Sequence, residues 1–172
     1  MIRAMLDIET LDVTASSVVT EIGVVLYNGK FDIVQTLHMY TPITEQLARG
    51  RTLSKETLKF RFEQASFNFV LTDPNDLYRC LYSLIDLYKD YSIDETWTKS
   101  PHFDIAILDH LYQQMNLKSP WKYSSIRDLR TLMKWYEHNS TKDPEHTALQ
   151  DALDQGEILR DLYYASGRHI HS

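Results

Sequence analysis

The run from Val18 to Tyr27 (VVTEIGVVLY), closed by Asn28-Gly29, constrains this chain more than any other feature. β-Branched and aromatic side chains suit a pleated strand better than a helix, and Asn-Gly is the strongest short hairpin signal. Residues 2–8 before it and Phe31 to Tyr40 after it have the same character. Three antiparallel strands are therefore predicted at the start of the fold.

Pro42 ends the third run, and the pattern turns helical. Ile43 to Arg51 is weakly helical, and Ser54 with Thr57 opens a second stretch that continues to Gln64. Phe67, Phe69, Val70 and Leu71 form an apolar patch with no clear period. Asp73-Pro74 reads as an N-cap followed by proline at the first helical position. Behind it Leu77, Leu81, Leu84, Ile85 and Tyr88 recur at helical spacing, which predicts an amphipathic helix over 74–90. Short strands at 93–97 and 124–126 alternate with helices at 103–115 and 128–138. A last helix over 146–165 stops at Gly167. This order predicts a mixed α/β fold with an antiparallel hairpin layer beside parallel crossovers. At 172 residues, 1–172 is expected to be one domain.

Composition narrows the class. Apolar residues at 43% and charged residues at 24% match a soluble globule. No apolar run is long enough to span a bilayer, and Asp7 interrupts the amino terminus too early for a signal peptide. Cys80 is the only cysteine, so a disulfide framework and a cysteine zinc site are excluded and a reducing cytoplasm is expected. Eighteen basic residues against 24 acidic ones give a net charge of −6. That disfavours a plain electrostatic nucleic-acid binder. It leaves open an enzyme that meets phosphates through divalent cations, which reverse the local sign.

Three places could carry chemistry. Asp7 and Glu9, two apart at the end of a buried strand, point the same way and repel unless a cation lies between them. Asp104 opens a helix, where a carboxylate also serves simply to satisfy free N–H groups. His146 follows a polar loop, and Asp151 lies five residues on among Ala148, Leu149, Ala152 and Leu153. Those neighbours turn Asp151 inward, where a carboxylate needs a partner. Asp109 is read as surface, and Asp12 has no assigned role.

Together Asp7, Glu9, Asp104, His146 and Asp151 resemble the DEDDh signature of the DnaQ-like 3′–5′ exonucleases. D-x-E falls on the first strand, Asp opens a central helix and H-x4-D falls on the last helix. Leu6–Leu11, Glu21–Val25, Phe103–Leu108 and Ile126–Leu132 are similar to a compact branch. That branch includes the exonuclease A of tailed phages and related bacterial exoribonucleases. One departure is Trp97-Thr98-Lys99-Ser100-Pro101-His102, where relatives have a glycine-containing turn. The resemblance implies an RNase H-like fold, with a mixed central sheet of three antiparallel strands plus parallel strands, flanked by helices.

It also implies a mechanism. Asp7, Glu9 and Asp151 would hold one Mg²⁺ or Mn²⁺, Asp7 would bridge to a second, and Asp104 would act through water. His146 would be the general base. Thr10, Leu11, Phe103 and Trp121 are the candidate substrate contacts, with Leu11 beneath the terminal base. Trp97 and Tyr123 are further candidate stacking surfaces, although core packing is the preferred reading for Trp97 and Phe103. Lys99, Lys122, Arg127 and Arg130 are candidate phosphate contacts. The expected partner is the 3′ end of single-stranded DNA or RNA, with DNA favoured on the phage-type resemblance. The product would be nucleoside 5′-monophosphates. Whether the chain is a monomer or a homodimer stays open. A non-catalytic single-strand-binding adaptor would have lost a motif residue, and an RNase H-like endonuclease would lack the histidine of H-x4-D.

Overall fold

Strand β1 (Arg3–Thr10) is central in the sheet, and its side chains alternate between two faces that are each packed against helices. In this computed structural model, residues 1–64, 76–138 and 146–167 are described. β1 pairs antiparallel with β2 (Val19–Tyr27), which pairs antiparallel with β3 (Ile33–Tyr40). On its other side β1 runs parallel to β4 (Glu95–Thr98), which runs parallel to β5 (Ile126–Asp128). The order is β3-β2-β1-β4-β5, the mixed sheet expected from the sequence.

Helices cover the sheet. Between β3 and β4 come α1 (Ile43–Ala48), α2 (Lys55–Phe62) and α3 (Leu77–Tyr91). α4 (Asp104–Gln114) links β4 to β5, and α5 (Leu129–Trp135) and α6 (Ala148–Ala165) follow. Ala4, Leu6 and Ile8 of β1 pack with Leu81, Leu84, Leu108 and Leu111 of α3 and α4. Met5 faces the other way, with Ala152, Leu159 and Leu162 of α6. By the same alternation Asp7 and Glu9 look toward α6. No described helix is long and apolar enough to cross a membrane.

Several boundaries differ from expectation. β1 continues through Thr10, so Asp7 and Glu9 lie inside the strand and not at its end. β3 begins at Ile33, because Phe31 adopts φ +64° and tucks its ring against Tyr27 and Tyr163. The loop is held instead by the Asn28 side chain, which accepts from the N–H groups of Lys30 and Asp32. α3 starts at Leu77 with Asp76 as its cap, bonded to the Arg79 N–H at 2.6 Å. Asp73-Pro74 and the patch at Phe67–Leu71 lie outside the described residues, as does the polar loop before His146. A 3₁₀ turn over Tyr123–Ser125 takes the place of the expected strand start, and the strand shifts to Ile126–Asp128. Asp128 then caps α5, accepting from the backbone N–H groups of Arg130 and Thr131 and from the Thr131 hydroxyl.

Candidate active site

The site forms where β1, α4 and α6 meet. β1 presents Asp7 and Glu9 on the α6 side, both partly exposed. Asp104 is the first residue of α4 and is 4% exposed; the N-cap is Phe103, so the carboxylate turns inward. Asp151 sits in the first turn of α6 and is buried. His146 precedes that helix in the left-handed region, with φ +56°, and Thr147 is the cap. The expected helix start at 146 is thus two residues early. Breaking the helix there frees the imidazole to stand edge-on to Phe60, 5.1 Å between ring centres.

Donor atoms of Glu9, His146 and Asp151 lie within 4.8 Å of one another. The carboxylates resist ionisation in one another's company. Burial pushes the Asp7 carboxyl well above its usual range, and Asp104 and Glu9 push it further. Burial raises Glu9 to about 7, against the Arg61 guanidinium, which pulls it down. Burial likewise raises Asp104 to about 7. Carboxyls gathered in a buried cluster are stabilised in their charged form by a positive partner, and oxygen-rich donors fit a hard divalent cation. The residues present therefore fit such an ion.

Three residues of this neighbourhood escaped the sequence reading. Gln155 Nε2 donates to Asp7 Oδ1 at 2.7 Å; its place one turn after Asp151 was a usable signal. Glu21 lies directly opposite Glu9 on β2, 1% exposed, a charge inside an otherwise apolar run. Arg61, 2% exposed, donates to Glu9 Oε2 at 2.6 Å and to the His146 carbonyl at 3.4 Å. Nothing in the sequence around Arg61 distinguishes it from a surface arginine.

A cleft of about 420 Å³ opens beside the cluster, lined by Ile8, Glu9, Thr10, Val13, Phe60, Arg61 and Phe103 among others. Thr10 and Phe103, two of the expected substrate contacts, are among the lining residues. Leu11 does not line the cleft: it is 3% exposed and packs with Val18 and Ile43 under the loop. Trp121, expected among the substrate contacts, does not reach the cleft. It is buried between Tyr88 and Tyr112, and its indole N–H donates to Asp109 Oδ1 at 3.0 Å. Asp109, expected at the surface, is half-buried on α4 and anchors that indole N–H. Trp97 is tied to Glu95 by its indole N–H, and Arg127 pairs with the same carboxylate. Tyr123 is 93% exposed but lies outside the cleft lining. Asp12 organises the loop after β1, accepting from the Val13 N–H and the Thr14 hydroxyl.

The family described as the Rv2179c-like 3′–5′ exoribonuclease domain matches residues 2–163. No curated protein sequence matches the chain. Among solved structures, the nuclease domain of 3′hExo, a DEDDh family member bound to rAMP, is similar with a TM-score of 0.66 at 15% identity. That alignment covers 99% of this chain and 94% of the other. E. coli Exonuclease I in complex with a dT13 oligonucleotide gives 0.70 at 9% identity, covering 97% of this chain and 42% of that one. S. pombe Pop2p in its Mg²⁺- and Mn²⁺-bound form gives 0.61 at 14% identity, covering 94% and 82%. These likenesses establish a shared RNase H-like fold.

Proposed function

Because this chain belongs to the Rv2179c-like 3′–5′ exoribonuclease domain family and is a 3′–5′ exonuclease, we propose that it works through a DEDDh-type site and removes nucleoside 5′-monophosphates one at a time from single-stranded RNA. The observation that carries the reading is the gathering of Glu9, His146 and Asp151 within 4.8 Å, beside Asp7 and Asp104.

Asp7, Glu9, Asp104 and Asp151 would hold the divalent cations. Such ions, when bound, neutralise the phosphate, acidify water and stabilise the departing 3′-oxygen. His146 takes the proton from the attacking water as its oxygen bonds to phosphorus, and the bond from phosphorus to the 3′-oxygen breaks. The departing 3′-oxygen takes a proton from solvent and becomes the 3′-hydroxyl of the shortened strand, and the released nucleotide keeps the phosphate on its 5′-oxygen. Gln155 orients Asp7 from α6. The apolar cleft beside Glu9 receives the terminal nucleoside, with Phe60 and Phe103 offering ring surfaces to the base and Thr10 a polar edge. Mg²⁺ or Mn²⁺ suits the oxygen donors, and both were present in the similar Pop2p structure.

The phage-type resemblance favours DNA. The family description favours RNA, and the 3′hExo neighbour was solved with rAMP. Digestion of matched 5′-labelled RNA and DNA strands with Mg²⁺ or Mn²⁺ tests the choice. Faster shortening of RNA from a free 3′ end supports the reading; a preference for DNA overturns it.

A further inference from the structure

Glu21 occupies a costly position. It faces Glu9 directly across the β1–β2 ladder, and like charges so placed destabilise a sheet. Its side chain is 2% exposed, where an unpaired carboxylate is expensive. Two groups meet it. His38 Nε2 on β3 lies 2.5 Å from Oε1, and the backbone N–H of Ala148 donates to the same oxygen at 3.1 Å.

Ala148 is the first residue of α6, and its N–H is among the donors a helix start leaves unsatisfied. The capping residue Thr147 makes no side-chain cap hydrogen bond. A carboxylate reaching over from β2 therefore does the work of the absent cap, with the favourable sign for a helix N-terminus. The same strand fixes how closely the helix sits. A Cβ on Gly23 would lie 2.3 Å from the Ala148 carbonyl carbon, so α6 rests its first turn on bare backbone. His146 stands two residues before this contact in a left-handed conformation, and the direction of its ring follows from how 146–148 is held.

We propose that Glu21, oriented by His38, is a positioning residue that clamps the start of α6 and thereby aims His146 at the attacking water. This rests on the reading of His146 as the general base. The test is a double-mutant cycle in the full chain, with kcat, KM and Mn²⁺ affinity measured for each protein. Glu21→Ala is expected to lower kcat by about 10–100-fold, with KM at its wild-type value. Glu21→Gln keeps an oxygen for the Ala148 N–H and should recover most of the rate. In a His146→Ala background Glu21→Ala should cost nothing further, because the group it aims is gone. An equal loss in both backgrounds overturns the clamp, as does a Gln variant no faster than Ala. A His146→Ala protein at wild-type rate overturns the base reading itself, and the clamp falls with it. If Glu21→Ala does not fold, His38→Ala supplies the cycle. It should show a smaller loss of kcat that again vanishes without His146, and wild-type kcat in that variant overturns the proposal.

Discussion

Gln155 Nε2 donates to Asp7 Oδ1 at 2.7 Å from one turn beyond Asp151, so a single helix supplies a cluster carboxylate and orients another. That hydrogen bond lowers the proton affinity of Asp7, which burial and its acidic neighbours raise. Gln155→Leu removes it, and a metal ligand must be deprotonated to bind. Mn²⁺ affinity should fall by about 10–100-fold, with the larger loss at pH 6.5 than at pH 8.5. Calorimetric titration at the two pH values reads this directly, and an equal loss at both would contradict it.

Asp7→Asn and Asp151→Asn should abolish hydrolysis while leaving the metal-free fold as stable as wild type or more so. Each removes a charge from a cluster whose members repel. Thermal melts in chelator, paired with cleavage assays, check both halves. A stable Asp7→Asn protein with full activity would remove Asp7 from the site.

The metal-free protein should lose stability as pH rises from about 5 to 7.5. Glu9 and Asp104 ionise near 7 when folded but near 4 when unfolded. Between those values the folded state holds more protons, so raising the pH favours unfolding. Saturating Mn²⁺ should cancel the trend. Denaturant melts across this range, compared between wild type and Asp104→Asn, isolate the contribution, and the variant's slope should be shallower.

Much of this arrangement was legible because the relevant signals are local. The Val18–Tyr27 run, the spacing of Leu77, Leu81 and Leu84, and the inward neighbours of Asp151 each place an element or a face without reference to distant chain. Trp121 was misread because a buried tryptophan and a stacking one look alike in sequence; its partner Asp109 sits twelve positions earlier on another element. Arg61 was invisible for the same reason, since it meets Glu9 across 52 positions. The 3₁₀ turn at Tyr123–Ser125 moved a strand by two residues, an offset that periodicity over three residues cannot resolve.

Arg61→Met should destabilise the metal-free protein, by about 3–5 kcal/mol if the buried pair behaves as others do. The pair is enclosed on both sides, 2% and 12% exposed. The loss should be larger at pH 8 than at pH 5.5, because a protonated Glu9 no longer needs the guanidinium. Denaturant melts at the two pH values test this, and a pH-independent loss would assign Arg61 to packing alone.

The account turns on His146, whose nitrogen lies close enough to Glu9 and Asp151 to serve either as the base or as a ligand. The deciding measurement is the single-turnover cleavage rate of His146→Ala on 5′-labelled RNA, taken with its Mn²⁺ affinity. A base predicts a loss of about 10²–10⁴ in rate with metal affinity unchanged. Loss of metal affinity as severe as in Asp7→Asn, or retention of the wild-type rate, would contradict it.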